Sequence, residues 1–197
     1  MKKIAILLII VIVLPLAYLI VTNYNNVPKL DEDVKEKWSQ VQNQYKRRAD
    51  LIPNLVATVK GYAEHEKGTF VEVTEARSKV SQINVNADTL NNPAMMQKFS
   101  QAQAGLSGAL SKLMLVVEKY PDLKANKNFM ALQSQLEGTE NRITIARKDF
   151  IASVKKYNIE LRTMPGKLVA AIVHPSAKVK ETFKASAIEQ EAPKVSF

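Results

Sequence analysis

The first apolar stretch of the chain, residues 4–21, contains 18 residues without a charge. A helix of that length reaches about 27 Å, close to the ~30 Å hydrocarbon thickness of a bilayer. A cleaved signal peptide usually has a shorter apolar region followed by small residues, and a lipoprotein would need a cysteine, which this chain lacks. We therefore expect residues 1–22 to be a retained signal-anchor helix that spans the membrane.

The charges around this stretch predict its orientation. Lys2 and Lys3 precede it, and the next charged residue is Lys29, followed by acidic residues. Because positive charge near a membrane segment favours the cytoplasmic side, we expect the N-terminus in the cytoplasm and the rest of the chain outside.

After a predicted linker over residues 23–30, apolar positions recur at seven-residue spacing, which is typical of helices that pack along their length. One predicted seam contains Trp38, Tyr45, Ile52, Val59, Val73 and Val80, and the other contains Val34, Val41, Leu55, Tyr62, Ala76 and Ile83. The continuous register favours one helix over about 31–84, bent at Pro53. Glu66 falls where a core residue is due, so a break between Gly61 and Gly68 is the alternative.

Two more long helices are predicted, one over about 93–119 and one starting near Asn126 and ending before Pro165. Asn91 or Asn92 is the expected N-cap of the first, with Pro93 in its first turn. Its small residues at 104–109 would allow close helix approach. The seam of the second consists of Phe129, Leu136, Ile143, Phe150 and Tyr157. Short loops between these helices favour antiparallel neighbours.

The predicted fold class is all-α, with an N-terminal transmembrane helix followed by an antiparallel bundle of three or four long helices. The bundle should occupy residues 31–164, and residues 165–197 should form a capping segment and tail. The apolar run 168–173 is too short to span a bilayer and should cap the bundle. Residues from about 176 onward are expected to be weakly ordered.

Composition limits the possible chemistry. The formal net charge is +9, and two of these charges are Lys2 and Lys3. Basic residues are interleaved with acidic ones, which is typical of a solvated helical surface and does not favour a nucleic-acid partner. The absence of cysteine excludes disulfides, thiolate metal sites and a cysteine nucleophile.

Several polar residues lie on or beside the predicted seams. They are Arg47, Arg48, Asp50, Asn54, Glu137, Glu140, Asn141 and Arg147. Because a charge at a core position is costly unless it is paired, we expect Arg47 or Arg48 to pair across the bundle with Glu137 or Glu140. Such pairs would fix the helix register, and the alternative is a polar pocket for a ligand or partner.

No catalytic, cofactor-binding or metal-binding residues are predicted. Glu64, His65 and Glu66 are adjacent, so a helix would not direct them at one metal, and no second histidine lies four residues away. The serines are scattered, without a Gly-x-Ser-x-Gly elbow. We therefore expect a protein that is not an enzyme and needs no cofactor.

Motifs along nearly the whole chain resemble the LemA family. They are WSQV at 38–41, QYKRR at 44–48, DLIPNLV at 50–56, VKGYA at 59–63, EKYPDLKAN at 118–126 and LEGTENRI at 136–143. The resemblance implies a bacterial helical bundle with a single-pass membrane anchor and no established molecular activity. It also implies an association with a membrane protease system, and a short N-terminus outside the cell, opposite to the charge argument.

These observations together predict a membrane-anchored interaction or scaffold protein of the bacterial envelope. Its expected partners are the membrane itself and other proteins, and the family resemblance suggests a membrane protease system among them. The alternative is a protein that binds anionic lipid or an envelope polymer through its surplus cations and the run 168–173.

Overall fold

The computed structural model describes residues 10–183, except 12, 16, 19, 22, 23, 84 and 85, and only the backbone at 87 and 88. From Asn26 onward the helices are α1 (Asn26–Lys60), α2 (Lys67–Ser81), a 3₁₀ helix (Ala87–Asn91), α3 (Pro93–Val117), α4 (Pro121–Lys124), α5 (Lys127–Arg162) and α6 (Gly166–Val173). No strand occurs in this described part of the chain, which confirms the all-α prediction.

Part of the predicted anchor is visible in the structure. The described residues between 10 and 21 are helical, whereas residues 4–9, 12, 16 and 19 lie outside the described part. Among the described residues, no helix has the length and apolar character required to cross a membrane.

The bundle consists of two antiparallel helix pairs. α1 and α5 run side by side along most of their length, so that Trp38 contacts Phe150 and Arg48 contacts Glu140. α2 and α3 form the shorter pair, joined on their surface by an ion pair between Glu72 and Lys112. The prediction of an antiparallel bundle is therefore confirmed.

The predicted continuous helix over 31–84 is wrong, because the chain reverses between Lys60 and Lys67. The amides of Tyr62 and Ala63 both bond to the Val59 carbonyl, which closes the end of α1. The reversal directs Phe70 and Val73 onto the apolar face of α1, with Ala63 buried between the two helices. The heptad register persists across the turn because α1 and α2 face the same core.

Other predicted boundaries shift by a few residues. α1 begins at Asn26 and buries Val27, so most of the predicted linker 23–30 is helical. Asn92 caps α3 as expected, since its side-chain oxygen accepts from the amides of Ala94 and Met95 at 3.1 and 3.2 Å. The predicted short loop over residues 122–125 is largely helical, because Pro121–Lys124 form the single turn α4.

Two predicted packing features are absent. Tyr62, placed on a seam, is 44% exposed because the chain turns there. Gly105 and Gly108, expected to allow close helix approach, face open space, since a methyl group at either position would meet no atom within 4 Å.

The interior is divided into two apolar cores. The aromatic core, near the start of α1, contains Val27, Val34, Trp38, Val41, Tyr45, Leu90, Met96, Phe99, Ile143, Ala146, Phe150, Val154, Tyr157 and Ala170. The aliphatic core, at the opposite end, contains Ile52, Leu55, Val59, Ala63, Phe70, Val73, Leu106, Ala109, Leu110, Leu113, Val116, Val117, Leu123, Phe129 and Leu136. Between them lies the buried guanidinium of Arg48.

Pro53 lies inside α1 without ending it. Because proline has no amide hydrogen, the carbonyl of Ala49 loses its partner four residues along the helix. Arg77 of α2 supplies the missing donor, with its Nε 2.9 Å from the Ala49 oxygen. The proline that weakens α1 therefore also provides the point at which α2 is attached to it.

The C-terminal part is more ordered than predicted, because residues 176–183 pack on the bundle. α6 folds back on α5 at Gly166, where a Cβ would collide with the Glu160 carbonyl oxygen. Beyond it, the C-terminal segment (177–183) crosses the aromatic core. The side chain of Asn158 donates to the Lys180 carbonyl and accepts from the Lys180 amide, both at 2.9 Å. The amide of Glu181 donates to the Leu90 carbonyl. Residues 184–197 lie outside the described part.

Candidate interaction cleft

A cleft of about 620 Å³ opens between α3 and α5, with α1 as its floor. Its lining comprises Tyr45, Arg48, Pro93, Met96, Gln97, Ser100, Gln101, Gln103, Ala104, Ser107, Glu140, Ile143, Thr144, Arg147, Glu181, Thr182 and Phe183. A second hollow, of about 570 Å³, is lined only by residues 28–36 of α1 and has no opposing wall. The cleft is therefore the better enclosed of the two.

Arg48 forms the centre of the cleft floor, with only 2% of its side chain exposed. Its Nη1 donates to the Ser107 hydroxyl at 3.0 Å and to the Glu140 carboxylate at 2.9 Å. Its Nη2 donates to the side-chain oxygen of Gln103. These contacts tie α1 to both walls, because Ser107 and Gln103 belong to α3 and Glu140 belongs to α5.

Tyr45 lies one helical turn before Arg48 and supports it from below. The guanidinium carbon of Arg48 is 5.1 Å from the centre of the Tyr45 ring, within the range of a cation–π contact. Burial raises the pKa of Tyr45, although the positive charges of Arg147 and Arg48 partly oppose this. The phenol is therefore neutral at physiological pH and can donate a hydrogen bond.

The C-terminal segment closes one end of the cleft. Phe183 packs between Trp38, Phe99 and Phe150, with ring centres 5.8 to 6.4 Å away. Arg147 lies over the outer face of Phe183, at 4.3 Å from the ring centre. The end wall is thus fixed by aromatic packing and a cation–π contact.

The structure brings together three of the eight residues predicted as a polar cluster: Arg48, Glu140 and Arg147. The Arg48–Glu140 ion pair, one of the predicted pairings, is present. The other five residues, Arg47, Asp50, Asn54, Glu137 and Asn141, are exposed and do not line the cleft. Glu137 accepts a hydrogen bond from Gln133 on its own helix, at 3.0 Å. Contact of the cluster with a partner stays a prediction.

Several cleft residues were not predicted from the sequence. Gln103 is 5% exposed and occupies the apolar stripe of α3 four residues after Phe99. A polar residue at such a position is the same signal that identified Arg48, so Gln103 could have been found. Phe183 could not, because it belongs to an irregular segment without periodicity.

The cleft presents guanidinium, carboxylate, amide and hydroxyl groups, which suit recognition by hydrogen bonds. The two histidines lie elsewhere: His65 is exposed in the turn after α1, and the Nε2 atom of His174 is 3.0 Å from the Tyr24 carbonyl. Among the described residues, no three acidic, histidine or cysteine side chains are grouped so that they could hold a metal.

A family model described as "LemA family" matches residues 37–197, which include every residue that lines the cleft. The chain belongs to the LemA family. The resemblance inferred from the sequence motifs is thereby confirmed. The match begins within α1 and continues through the C-terminal segment, so both cores lie largely inside the LemA region.

Individual relatives of this LemA-family chain are more distant. It is 26% identical over 167 residues to magnetosome protein MamQ 2 of Paramagnetospirillum magneticum, which covers 76% of this chain and 61% of that protein. It is 25% identical over 139 residues to protein LemA of Metamycoplasma hominis, covering 71% of this chain and 59% of the relative. The match thus spans about three-fifths of the length of these relatives.

Proposed function

We propose that this chain is a membrane-anchored interaction protein of the bacterial envelope, and that its cleft holds a short segment of a partner protein. The bundle lies outside the cytoplasm in this proposal and has no catalytic activity of its own. The observation that carries the proposal is the polar cleft around Arg48. At this level α3 and α5 stay apart and leave an opening, which two directly packed helices would not have.

The construction of the cleft supports recognition of a partner. Arg48 is held by three side chains, so its position is fixed before anything binds, which reduces the entropy cost of association. Near the mouth, Gln97, Gln101 and Thr144 are exposed and can pair with backbone or polar groups. A volume of about 620 Å³ lies within the roughly 300–1,000 Å³ of ordinary binding pockets.

The apolar residues 4–21 support the anchor. Among their described side chains, Val11, Leu14 and Val21 are 60%, 63% and 72% exposed. A contiguous apolar surface of this kind is unfavourable in water and favourable in lipid. The anchor would confine the cleft to partners in or near the same membrane, and a membrane protease system is the class that the family resemblance suggests.

Site-specific photocrosslinking in living cells tests the cleft. A photoreactive amino acid at Gln97, Gln101 or Thr144 should give the same discrete adduct, because all three line the mouth. The matched control is Ser134, which is exposed on α5 away from the cleft and should not give this adduct. Equal adducts from Ser134 and the cleft positions, or none from the cleft, would contradict the proposal.

Binding to anionic lipid or an envelope polymer is a second candidate function, and the net charge of +9 favours it. Attraction of this kind is screened by salt. Cosedimentation of the detergent-solubilised chain with an anionic polymer, compared with a neutral polymer of equal length, should therefore weaken steeply as ionic strength rises. Equal binding to both polymers would count against it.

A further inference from the structure

We infer that α6 lies on the surface of the membrane that holds the anchor, with its outward apolar face in contact with lipid. This inference rests on the proposed function, because it requires the anchor. It assigns a lipid contact to a part of the bundle that lies outside the predicted span.

The first argument is that α6 is apolar on two opposite faces. Gly166, Val169 and Ala170 are buried against the bundle. On the outer side, Leu168 and Ile172 lie one helical turn apart and are 37% and 58% exposed, and Met164, in the turn just before the helix, is 70% exposed. A helix that covers a soluble bundle normally has a polar outer face. The outer face of α6 therefore lacks the composition expected for contact with water.

The second argument is position. The Nε2 atom of His174, directly after α6, is 3.0 Å from the Tyr24 carbonyl, and the two rings are 5.7 Å apart. Ala170 shares the aromatic core with Val27. Because Tyr24 follows the predicted anchor, residues 1–22, by only two residues, α6 lies at the end of the bundle from which the anchor leaves.

The third argument is charge, which favours a lipid surface over a second copy of the chain. The segment 161–179 contains Arg162, Lys167 and Lys178 and no acidic residue. Apolar residues flanked by cations are typical of helices that lie in the headgroup region of anionic membranes. Two acids near the start of α1 are paired with cations: Asp31 contacts Lys35 and Lys180, and Glu32 contacts Lys35.

The absence of cysteine makes the test direct, because any introduced cysteine is unique. Ile172→Cys reports on α6, and Leu115→Cys is the matched control, an apolar residue that is 68% exposed on α3 near the opposite end. Val13→Cys reports on the anchor. Each full-length variant is labelled with an environment-sensitive dye and reconstituted into vesicles of phosphatidylethanolamine and phosphatidylglycerol.

The expected result is severalfold stronger quenching at Ile172 than at Leu115 by a nitroxide carried on the lipid. A water-soluble quencher should give the opposite order. In a second measurement, Lys167→Glu with Lys178→Glu should weaken the lipid quenching at Ile172 severalfold while leaving Val13 unchanged.

Two outcomes would overturn the inference without affecting the anchor. In one, Val13 is quenched from the lipid while Ile172 behaves like Leu115, so α6 faces water. In the other, Ile172 is protected from both quenchers, which would indicate a protein neighbour such as a second copy. If Val13 itself is quenched only from water, the anchor and this inference are both wrong.

Discussion

The two ends of the bundle bury their side chains in different ways. The aliphatic core is closed by consecutive helices, α1 to α5, whose Leu, Ile and Val side chains interdigitate. The aromatic core lies where α2 has already ended, and its exposed side is covered by α6 and the C-terminal segment. Trp38, Phe99, Phe150 and Phe183 fill that region with large rings. The end with the aliphatic core therefore depends on helix pairing, and the end with the aromatic core depends on an irregular segment.

Arg48 marks the boundary between the two cores, and its replacement should have the largest effect. Arg48→Glu places a carboxylate against Glu140 in a buried site and should lower the free energy of unfolding by about 3–5 kcal/mol. Urea unfolding of the detergent-solubilised chain measures the change.

Two controls separate charge from shape at this boundary. Arg48→Met keeps the volume without adding a negative charge, but it leaves the buried side chain of Gln103 without its partner, so it should cost about 1–3 kcal/mol, less than the charge reversal. The exposed neighbour Arg47→Glu should change it by less than about 0.5 kcal/mol. If Arg48→Glu unfolds at the same urea concentration as the native chain, Arg48 is not buried as described.

Phe183→Ala should weaken the aromatic core selectively. We expect a loss of about 2 kcal/mol, below the roughly 3–5 kcal/mol of a fully buried phenylalanine, because Phe183 is only partly buried. Hydrogen exchange should accelerate in the first half of α1 and stay unchanged in α2. Val179→Ala, at a position 41% exposed in the same segment, is the control and should have little effect. Uniform acceleration in both halves would show that the two cores unfold as one unit.

Asp31 makes the aromatic end sensitive to acid. Burial alone would raise the pKa of Asp31, but hydrogen bonds from Lys180 and Lys35 outweigh it, so the pKa lies below its ordinary value. A lowered pKa stabilises the fold above the unfolded-state pKa of about 3.9, and this contribution is lost as the pH falls through the folded-state value. Asp31→Asn should therefore cost about 1–2 kcal/mol at neutral pH, because it leaves Lys180 buried without its ion pair.

The pH dependence supplies the check on Asp31. The difference between Asp31→Asn and the native chain should begin to shrink as the pH falls below about 4, where the unfolded-state carboxyl is protonated, and should be smallest below the lower pKa of the folded state. Thermal unfolding across this pH range measures it. A difference that stays constant with pH would show that the charge of Asp31 contributes nothing.

Arg77→Ala should detach α2 from α1 at the proline and cost about 1 kcal/mol, the net value of one hydrogen bond. The decisive control is the same substitution in a Pro53→Ala background. There residue 53 has an amide that can bond to Ala49 within the helix, so the loss of Arg77 should cost less. Equal costs in the two backgrounds, measured by urea unfolding, would rule out the compensation.

The smallest expected effect is a gain in stability. Gly105→Ala adds a methyl group that meets nothing within 4 Å on an exposed position inside α3, and should stabilise the chain by about 0.5–1 kcal/mol. Gly166→Ala is the contrasting control, because its Cβ would collide with the Glu160 carbonyl and displace α6. Thermal unfolding should move the two midpoints in opposite directions.

The difference between the two ends also explains how far the sequence predicts the structure. All five seam residues assigned to the last long helix are buried, from Phe129 to Tyr157, because the helix repeat determines which residues share a face. The turn after Lys60 was only the alternative prediction, because Val73 fits the same seam in a straight or a reversed chain. The covering of the aromatic core by residues 177–183 was not predicted either, because an irregular segment has no repeat.

The candidate site, too, was predictable only where the helix repeat determines it. Arg48 was identified because a charge on an apolar seam requires a partner, and Glu140 was among the partners expected. The cleft itself could not be derived, because it depends on α3 and α5 remaining apart at this level. One end of the cleft is also closed by the C-terminal segment with Phe183, which does not follow from local spacing.

If the chain is anchored as proposed, the length of α1 limits how far the cleft can stand from the bilayer. From Asn26 to Arg48 the helix rises about 33 Å, at about 1.5 Å per residue. An upright bundle would present the cleft only to partners whose water-exposed parts extend that distance, whereas a bundle tilted onto its side would bring it within reach of juxtamembrane segments. The angle at which α6 holds the bundle on the membrane would then determine which partner segments can reach the cleft at all, whatever their side chains.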